Sequence, residues 1–279
     1  MRLGGPIFAD WDDAASWAAA VREVGYGAAR CPLEPDADDD TVHDFAEAAR
    51  EADIVVAEVG AFGWNPISSD PDERAEAIRS CVARLDLAER IGARCCVNVA
   101  GSRGPRWAGA HPDNLTDETF EMTVASVREI IDAVQPERTF YTLETMPWIF
   151  PHTADSYLEL IRAVDREAFA VHLDPVNLVT SPEVAYNSGS LLKECFEKLG
   201  PHIRSCHAKD IQLRDKLTVH LDEARPGTGL LDYPTFLKEL DALEDDVPLV
   251  LEHLPDEDEF ARAAAYIREV AAETGVELR

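Results

Sequence analysis

The chain has 279 residues, 46% of them hydrophobic, and its 54 acidic residues against 26 lysines and arginines give a formal net charge of −28. This length suits a single α/β barrel, which typically needs about 250 residues. The negative charge argues against binding to nucleic acid or to an anionic membrane, and no apolar run approaches the roughly 18 residues of a membrane helix. The first residues lack the basic-then-apolar order of a secretory signal. We therefore expect one domain over residues 1–279, in the cytoplasm.

The charge balance also predicts a dependence on salt. Only five of the basic residues are lysines, and acidic runs such as 36–40 and 244–246 are interpreted as solvated surface. Self-repulsion of this size destabilises a compact state in dilute buffer. We therefore expect a halophilic protein, whose charges are screened by a salt-rich medium.

The six cysteines are not spaced as a zinc site. They lie at positions 31, 81, 95, 96, 195 and 206, without a CxxC pair or a Cys/His cluster. Cys95 and Cys96 are neighbours in a predicted strand, where successive side chains point to opposite faces, so they should not pair with each other. Buried, reduced thiols are the favoured interpretation.

Short β-branched runs alternate with amphipathic helical stretches along the whole chain. The predicted strands cover 2–4, 26–31, 53–62, 94–101, 139–145, 169–177, 203–210 and 248–254. The predicted helices cover 17–24, 41–51, 71–92, 116–134, 153–164, 190–200, 234–243 and 257–274. Eight such repeats are the number that a closed barrel requires, and no GxGxxG turn indicates an open dinucleotide-binding sheet. The predicted fold is a single (β/α)₈ TIM barrel of the α/β class.

The loops point to one end of this barrel. The segments that leave predicted strands are long, notably 101–115, 146–152 and 211–232, whereas those that enter strands are short. In a TIM barrel the strand-to-helix loops all lie on the catalytic face. The functional residues are therefore expected at the last positions of the strands.

Each of the last four predicted strands ends in a residue that can bind a metal ion: Glu144, Asp174, His207 and Glu252. One acidic residue at a strand end is usually a helix cap or a solvated loop residue, but four successive strands are hard to assign to chance. Buried carboxylates need a partner or a cation. We predict one divalent ion, with manganese as the first choice and magnesium, cobalt or zinc as alternatives, because the set is rich in oxygen.

Four further residues near the predicted mouth are candidates for contact with substrate: Lys209, His220, Arg225 and Trp148. Lys209 could bind an oxyanion, although a surface pair with Asp210 is an alternative. His220 and Arg225 lie in the long seventh loop, whose exposed residues often have no such role. Trp148, like Trp64 and Trp107, could stack on a sugar or pack as part of a lid.

Two histidines adjoin the predicted ligands. His172 lies two residues before Asp174, on the same face of the strand, and is either a support for the site or a satisfied core histidine. His253 follows Glu252 and should point away from it within the strand, which favours a structural role.

The four strand-end residues, with HAKD at 207–210 and RPGTGLLDY at 225–233, resemble the xylose isomerase-like TIM barrels over nearly the whole chain. That superfamily contains tagatose 3-epimerase-type ketose epimerases, hydroxypyruvate isomerases, inosose dehydratases and endonuclease IV-like repair enzymes. The resemblance implies that Glu144 and Glu252 are both ligands and the proton-transfer pair, with Asp174 and His207 as ligands. Many members have a histidine three residues after the aspartate. This chain has Asn177, which can hydrogen-bond a substrate oxygen but cannot act as an acid or base.

These features predict a divalent-metal-dependent isomerase or epimerase of a keto-sugar or related small carbohydrate. A metal-stabilised enediolate would exchange its proton with Glu144 and Glu252, on strands expected to face each other across the mouth. A sugar or inosose dehydratase or lyase is the alternative, because it needs the same groups. An endonuclease IV-like nuclease is disfavoured by eight histidines and a charge of −28. A non-catalytic sugar-binding barrel and a homo-oligomer remain open.

Overall fold

The strands form the predicted barrel. A computed structural model describes residues 1–243 and 246–279. Its strands are β1 (Arg2–Gly4), β2 (Ala28–Arg30), β3 (Val55–Gly60), β4 (Cys95–Asn98), β5 (Tyr141–Glu144), β6 (Phe169–Leu173), β7 (Ile203–Ala208), β8 (Asp210–Arg214), β9 (His220–Ala224) and β10 (Pro248–Leu251). Strands β1 to β7 and β10 close a barrel in the order β1-β10-β7-β6-β5-β4-β3-β2, with every pair parallel. The predicted (β/α)₈ fold is confirmed.

Helices cover the outside of the barrel. They are α1 (Ala14–Glu23), α2 (Asp39–Glu51), α3 (Pro71–Ile91), α4 (Asp117–Val134), α5 (Ala154–Val164), α6 (Pro182–Tyr186), α7 (Ser188–Leu199), α8 (Tyr233–Asp241) and α9 (Glu257–Thr274). Acidic residues begin several of them, as where Asp38 accepts a hydrogen bond from the Thr41 N–H at the start of α2. Within the described residues, no helix is long and apolar enough to cross a membrane.

The seventh strand-to-helix segment contains a hairpin that was predicted as loop. Strands β8 and β9 pair antiparallel, from Asp210 opposite Ala224 to Arg214 opposite His220. The predicted strand 203–210 is therefore two strands, which separate at Lys209. The hairpin escaped prediction because β9 has the sequence HLDEA, whose acidic residues are depleted in strands.

The cysteines are free thiols, as expected, and all except the half-buried Cys31 are buried. The acidic run 36–40 is largely exposed, as predicted. In the second run, Glu244 and Asp245 lie outside the described residues. Asp246 is not solvated surface, because it accepts a 2.6 Å hydrogen bond from Arg2 Nε and lies 3.4 Å from the amino group of Met1.

Added salt is expected to stabilise this fold. The net charge of −28 favours the expanded unfolded chain through self-repulsion, and that repulsion is screened at molar ionic strength. We expect the melting temperature to rise by about 5 to 10 °C between low salt and molar potassium chloride, which for a chain of this size is a few kcal/mol. A melting temperature that stays flat or falls across the salt series would contradict the halophilic interpretation.

Candidate metal centre and active site

Four adjacent barrel strands bring the predicted metal ligands together. Glu144 ends β5, Asp174 follows β6, His207 lies near the end of β7 and Glu252 follows β10. One ligand atom from each lies within 4.8 Å of the others. We call these four residues the mouth cluster. Glu144 and Glu252 lie on the outer strands of this run, three positions apart around the barrel rather than directly opposite.

The ring of His207 presents a different nitrogen to each side. Nδ1 faces the other members of the mouth cluster, at 2.9 Å from Glu252 Oε1, 3.4 Å from Glu144 Oε1 and 4.0 Å from Asp174 Oδ2. Nε2 lies 3.4 Å from Oε1 of Glu58. A carboxylate on the far nitrogen of a metal-binding histidine commonly fixes its tautomer and orientation. Glu58 can therefore hold a proton on Nε2, which is the arrangement that metal binding at Nδ1 requires.

Glu58 and Arg30 are further site residues, which are not among those predicted from the sequence. Glu58 lies on β3 with no exposed surface, and Arg30 lies on β2. Arg30 donates from Nε to Glu58 at 2.9 Å and from Nη2 to Glu252 at 2.8 Å. The signal that could have revealed Glu58 is an acidic residue in the middle of the apolar run DIVVAEVGAF. Such a residue needs a buried partner.

His172 lies beneath the site. Its ring centroid is 4.1 Å from that of His207, and its Nδ1 is 3.6 Å from Glu58 Oε2. Neither ring nitrogen makes a hydrogen bond with the described part of the chain. Burial, and next the charge of His207, lower the pKa of His172 to about 4. It is therefore a neutral neighbour of the site and not a satisfied core histidine.

Lys209 is buried within the site. Its side chain is 2% exposed, and its Nζ lies 2.6 Å from Asp174 Oδ2, 2.7 Å from Glu252 Oε1 and 3.6 Å from Glu144 Oε1. The alternative of a surface pair with Asp210 is wrong. Asp210 is buried as well, and its carboxylate accepts backbone N–H groups of the following loop.

The RPGTGLLDY segment closes over the end of β7. Asp210 accepts hydrogen bonds from the backbone of Gly227, Gly229 and Leu231 at 2.9 to 3.0 Å. Gly227 has a φ of +89°, and a side chain at position 229 would overlap the Asp210 carboxylate and the Ile211 carbonyl. Glycine is required at both positions, and the anchored loop fixes the backbone next to Lys209.

Burial and cations compete for the protonation of the carboxylates. Burial raises the pKa of Asp174 to about 7, although Lys209 acts to lower it. At Glu144, burial is outweighed by the charges of His207 and Lys209, and the pKa falls to about 2. Burial acts against the charged form of His207, but Glu252, Glu58 and Glu144 raise its pKa well above the usual value. The carboxylates of the cluster are thus balanced in this structure by two cationic groups, the His207 ring and the Lys209 ammonium.

The composition of the mouth cluster fits a divalent metal ion. Three carboxylates and an imidazole form an oxygen-rich set, which suits manganese or magnesium. Two of the carboxylate oxygens, Asp174 Oδ2 and Glu252 Oε1, are buried and make no hydrogen bond of good geometry with a described residue. Both instead face the Lys209 ammonium at short range. These oxygens are oriented for a positive charge.

A cavity of about 400 Å³ lies directly above the mouth cluster. Glu144 and Glu252 line its floor, whereas Asp174 and His207 are fully buried beneath it. Its apolar wall includes Phe62, Val99, Trp107, Ala108, Met146 and Trp148. The remaining polar lining residues are Arg30, Asn177, Lys209, Glu223 and His253. The two glutamates are the members of the cluster that a molecule in this cavity would meet.

Two predicted substrate contacts lie at this cavity. Trp148 is 43% exposed and donates from Nε1 to the Ala108 carbonyl at 3.1 Å, which holds its ring at the wall. Asn177 donates from Nδ2 to Glu144 Oε1 at 3.0 Å, and its backbone N–H lies 3.4 Å from Asp174 Oδ1. Asn177 therefore orients Glu144 directly.

Two other candidates do not reach the cavity. His220 begins β9 opposite Arg214, and Arg225 pairs with Glu259 at 2.9 Å. Trp64 lies in a neighbouring depression, where Arg84 stacks over its ring. Neither residue lines the cavity, so the expected contacts of His220 and Arg225 with substrate remain sequence-based predictions.

His253 lines the cavity, contrary to expectation. Strand β10 ends at Leu251, and His253 has a φ of +56°, so the alternation of side chains in a strand does not apply to it. Its Nδ1 lies 3.0 Å from Glu223 Oε2. Glu223, on β9, is a further lining residue and is not among those predicted from the sequence.

Glu58→Gln is expected to weaken metal binding by about 10- to 100-fold, because the amide has no charge with which to hold the His207 Nε2–H group. Titration of the metal-stripped protein with Mn²⁺ measures this effect. Glu47→Gln, at a half-exposed ion pair on α2, is the control and should bind as the unmodified chain does. Equal affinities of the two variants would remove Glu58 from the support of the site.

Comparison with known proteins extends this picture. A family model described as xylose isomerase-like TIM barrel matches residues 14–270. Among curated proteins, no sequence matches.

Three solved structures share the fold. A D-psicose 3-epimerase from Clostridium cellulolyticum, solved with D-tagatose, is 17% identical with a TM-score of 0.71, covering 99% of this chain and 100% of its own. An endonuclease IV from Thermus thermophilus is 14% identical with a TM-score of 0.75, covering 98% and 100%. A xylose isomerase-like TIM barrel protein from Mycobacterium smegmatis, solved in complex with magnesium, is 18% identical with a TM-score of 0.66, covering 94% and 90%. At these identities the likeness establishes the fold and does not distinguish an epimerase from a nuclease.

Proposed function

This chain belongs to the xylose isomerase-like TIM barrel family, and from that premise we propose that it is a divalent-metal-dependent isomerase or epimerase of a keto-sugar or related small carbohydrate. The observation that carries the proposal is the position of Glu144 and Glu252, which belong to the mouth cluster and also line the cavity above it. Two carboxylates in that position can each exchange a proton with a bound molecule.

The cavity supports a carbohydrate substrate. Its volume of about 400 Å³ lies within the usual range for small-molecule sites. Trp107 and Trp148 give it an aromatic wall, on which the C–H faces of a sugar can pack, while Asn177 and the carboxylates at the floor can accept or donate hydrogen bonds. A D-psicose 3-epimerase of the same fold was solved with a ketose, D-tagatose, which agrees with this class of substrate.

The mouth cluster would hold the metal ion through Glu144, Asp174, His207 and Glu252. When bound, a divalent ion would polarise the carbonyl oxygen of the substrate and so acidify the hydrogen on the neighbouring carbon. We propose manganese as the first choice, with magnesium, cobalt or zinc as alternatives. The magnesium of the Mycobacterium smegmatis barrel agrees with an oxygen-rich set of ligands.

The two glutamates divide the transfer of the proton. One carboxylate removes the hydrogen next to the carbonyl as a proton, and the electron pair of the broken C–H bond moves into the enediolate. The other glutamate must enter the step in its protonated form. It gives its proton to the opposite face of the carbon in an epimerase, or to the neighbouring carbon in an isomerase, in which a proton also moves from one substrate oxygen to the other. Asn177 fixes Glu144, and Arg30 fixes Glu252, so each base has a separate partner that sets its orientation.

A nuclease of the endonuclease IV type is the second candidate, because one of the structures that share the fold is such an enzyme. Its multi-metal chemistry needs separate sets of ligands. Within the described residues, the other group that could hold a metal is Glu58, His172 and His207, which shares His207 with the mouth cluster. The net charge of −28 also repels a nucleic-acid backbone. Both features favour the carbohydrate enzyme.

Incubation of the manganese-loaded protein with a panel of ketoses and inososes in deuterated water tests the proposal. NMR should show a new epimer or isomer of at least one ketose, with deuterium at the carbon that receives the returned proton. A product that has lost water would instead identify a dehydratase. Metal binding without turnover of any sugar would favour a non-catalytic barrel, and nicking of abasic-site DNA would favour the nuclease.

A further inference from the structure

Lys209 contacts the carboxylate oxygens with which a metal ion would bond. Its Nζ lies 2.6 Å from Asp174 Oδ2 and 2.7 Å from Glu252 Oε1, and these are the two oxygens of the mouth cluster that are buried without a good hydrogen bond to a described residue. It is one of five lysines in the chain, and its side chain is 2% exposed. A cation is thus supplied by the protein itself at the centre of the mouth cluster.

We propose that Lys209 is an exchangeable counter-cation of the metal centre. Its ammonium group neutralises Asp174 and Glu252 in the metal-free protein, and it must leave them when a divalent ion binds. This inference rests on the proposed metal-dependent function, because it concerns the same carboxylates. It makes Lys209 a residue that sets the affinity for metal, which is a different role from contact with a substrate oxyanion.

A divalent ion and the Lys209 ammonium group exclude each other from the mouth cluster because of distance and charge. Metal–oxygen bonds to divalent ions of this kind are about 2.0 to 2.6 Å long. An ammonium group that approaches both Asp174 Oδ2 and Glu252 Oε1 within 2.7 Å already occupies the space between them. A divalent ion and an ammonium group cannot share that space, and their repulsion is strong in a buried site. Binding of the metal ion therefore requires that Lys209 release both oxygens.

Glu223 can form an ion pair with Lys209 after the lysine has left the mouth cluster. Its Oε1 lies 3.1 Å from Lys209 Nζ, on the cavity side of the mouth cluster. The Glu223 side chain is 44% exposed, and its other oxygen is 3.0 Å from His253 Nδ1. Lys209 can thus keep one ion pair while it gives up Asp174 and Glu252. The exchange needs a movement of the lysine side chain and no change in the barrel.

Lys209→Met tests the exchange, because methionine fills similar space without the ammonium group. Removal of any positive charge from this acidic protein strengthens cation binding to some extent, so the control must carry the same loss of charge. Lys216→Met provides it, since Lys216 is exposed in the turn between β8 and β9. Metal-stripped preparations of the native chain and both variants are titrated with Mn²⁺ in a calorimeter.

We expect Lys209→Met to bind Mn²⁺ at least about tenfold more tightly than the native chain, and Lys216→Met to stay within about twofold of it. Thermal melts give a second readout. In the presence of a chelator, Lys209→Met should melt below the native chain, because its carboxylates lack their cation, and added Mn²⁺ should raise its melting temperature by the larger amount. Lys209→Gln, which keeps a hydrogen-bond donor, serves if the methionine variant does not fold without metal.

The outcomes separate this inference from the proposed function. Native protein that binds metal and turns over a ketose, with equal or weaker binding by Lys209→Met and Lys209→Gln, would overturn the counter-cation alone. Binding by the variants but not by the native chain would support the exclusion and contradict a metal-dependent function. No binding by any of them would overturn both.

Discussion

Glu144→Gln and Glu252→Gln are each expected to lower turnover by a factor of about 10² to 10⁴ while the metal ion stays bound. Glutamine keeps a carbonyl oxygen that can serve as a ligand, but it cannot take up a proton. The two glutamates line the cavity, whereas Asp174 and His207 lie beneath it, so the effect on turnover should exceed the effect on metal affinity. Steady-state rates are compared with Mn²⁺ titrations of the same preparations.

The two variants should also separate the removal of the substrate proton from its return. If each glutamate serves one face of the substrate, one variant will still exchange the substrate hydrogen with deuterated solvent without completing the epimerisation. That variant lacks the acid of the second step. Glu47→Gln, on α2 and remote from the mouth, is the matched control and should keep full turnover. Near-normal turnover by both site variants with metal bound would contradict a two-glutamate mechanism.

His207→Ala is expected to reduce the metal content from about one ion per chain to below roughly one in ten chains. His207 Nδ1 faces three carboxylates at 2.9 to 4.0 Å, and its loss leaves the site with three of its four predicted ligands. Elemental analysis after dialysis measures the content. His253→Ala is the control, because His253 lines the same cavity but is not part of the mouth cluster, and it should keep its metal. Unchanged content in His207→Ala would exclude His207 as a ligand.

The barrel and the mouth cluster were predictable because both follow from periodicity. Apolar runs alternate with amphipathic helices through all eight repeats, and a parallel barrel places the ends of its strands on one face. Polar residues at successive strand ends, such as Glu144 and His207, must therefore come together. Prediction of the cluster needed only the correct assignment of four strand ends.

The residues that support the mouth cluster could not be predicted from periodicity. Glu58 lies within β3 and Arg30 on β2, so neither belongs to the last four strands on which the pattern was found. Their relevance depends on side-chain contacts across the barrel, which sequence periodicity does not encode. His253 was misplaced for a local reason, since its positive φ turns the chain just after β10.

The environment of the Lys209 side chain could not be predicted from the sequence either. The sequence places it two residues after His207 and leaves open both an exposed ion pair and a contact with substrate. The choice depends on where β7 ends and the hairpin begins, because that break directs the ammonium group inward onto Asp174 and Glu252. A hairpin with acidic strands was not predictable from β propensity.

The metal dependence of proton exchange tests the central claim most directly. Metal-stripped protein is mixed with a ketose substrate in deuterated water, and the loss of the C–H signal is followed by NMR as Mn²⁺ is added in fractions of one equivalent. We predict that the exchange rate rises in proportion to the added metal and reaches a plateau at about one ion per chain, and that His207→Ala gives no rise over the same range. Full exchange in the stripped protein, or a rate that does not change with added metal, would contradict the account.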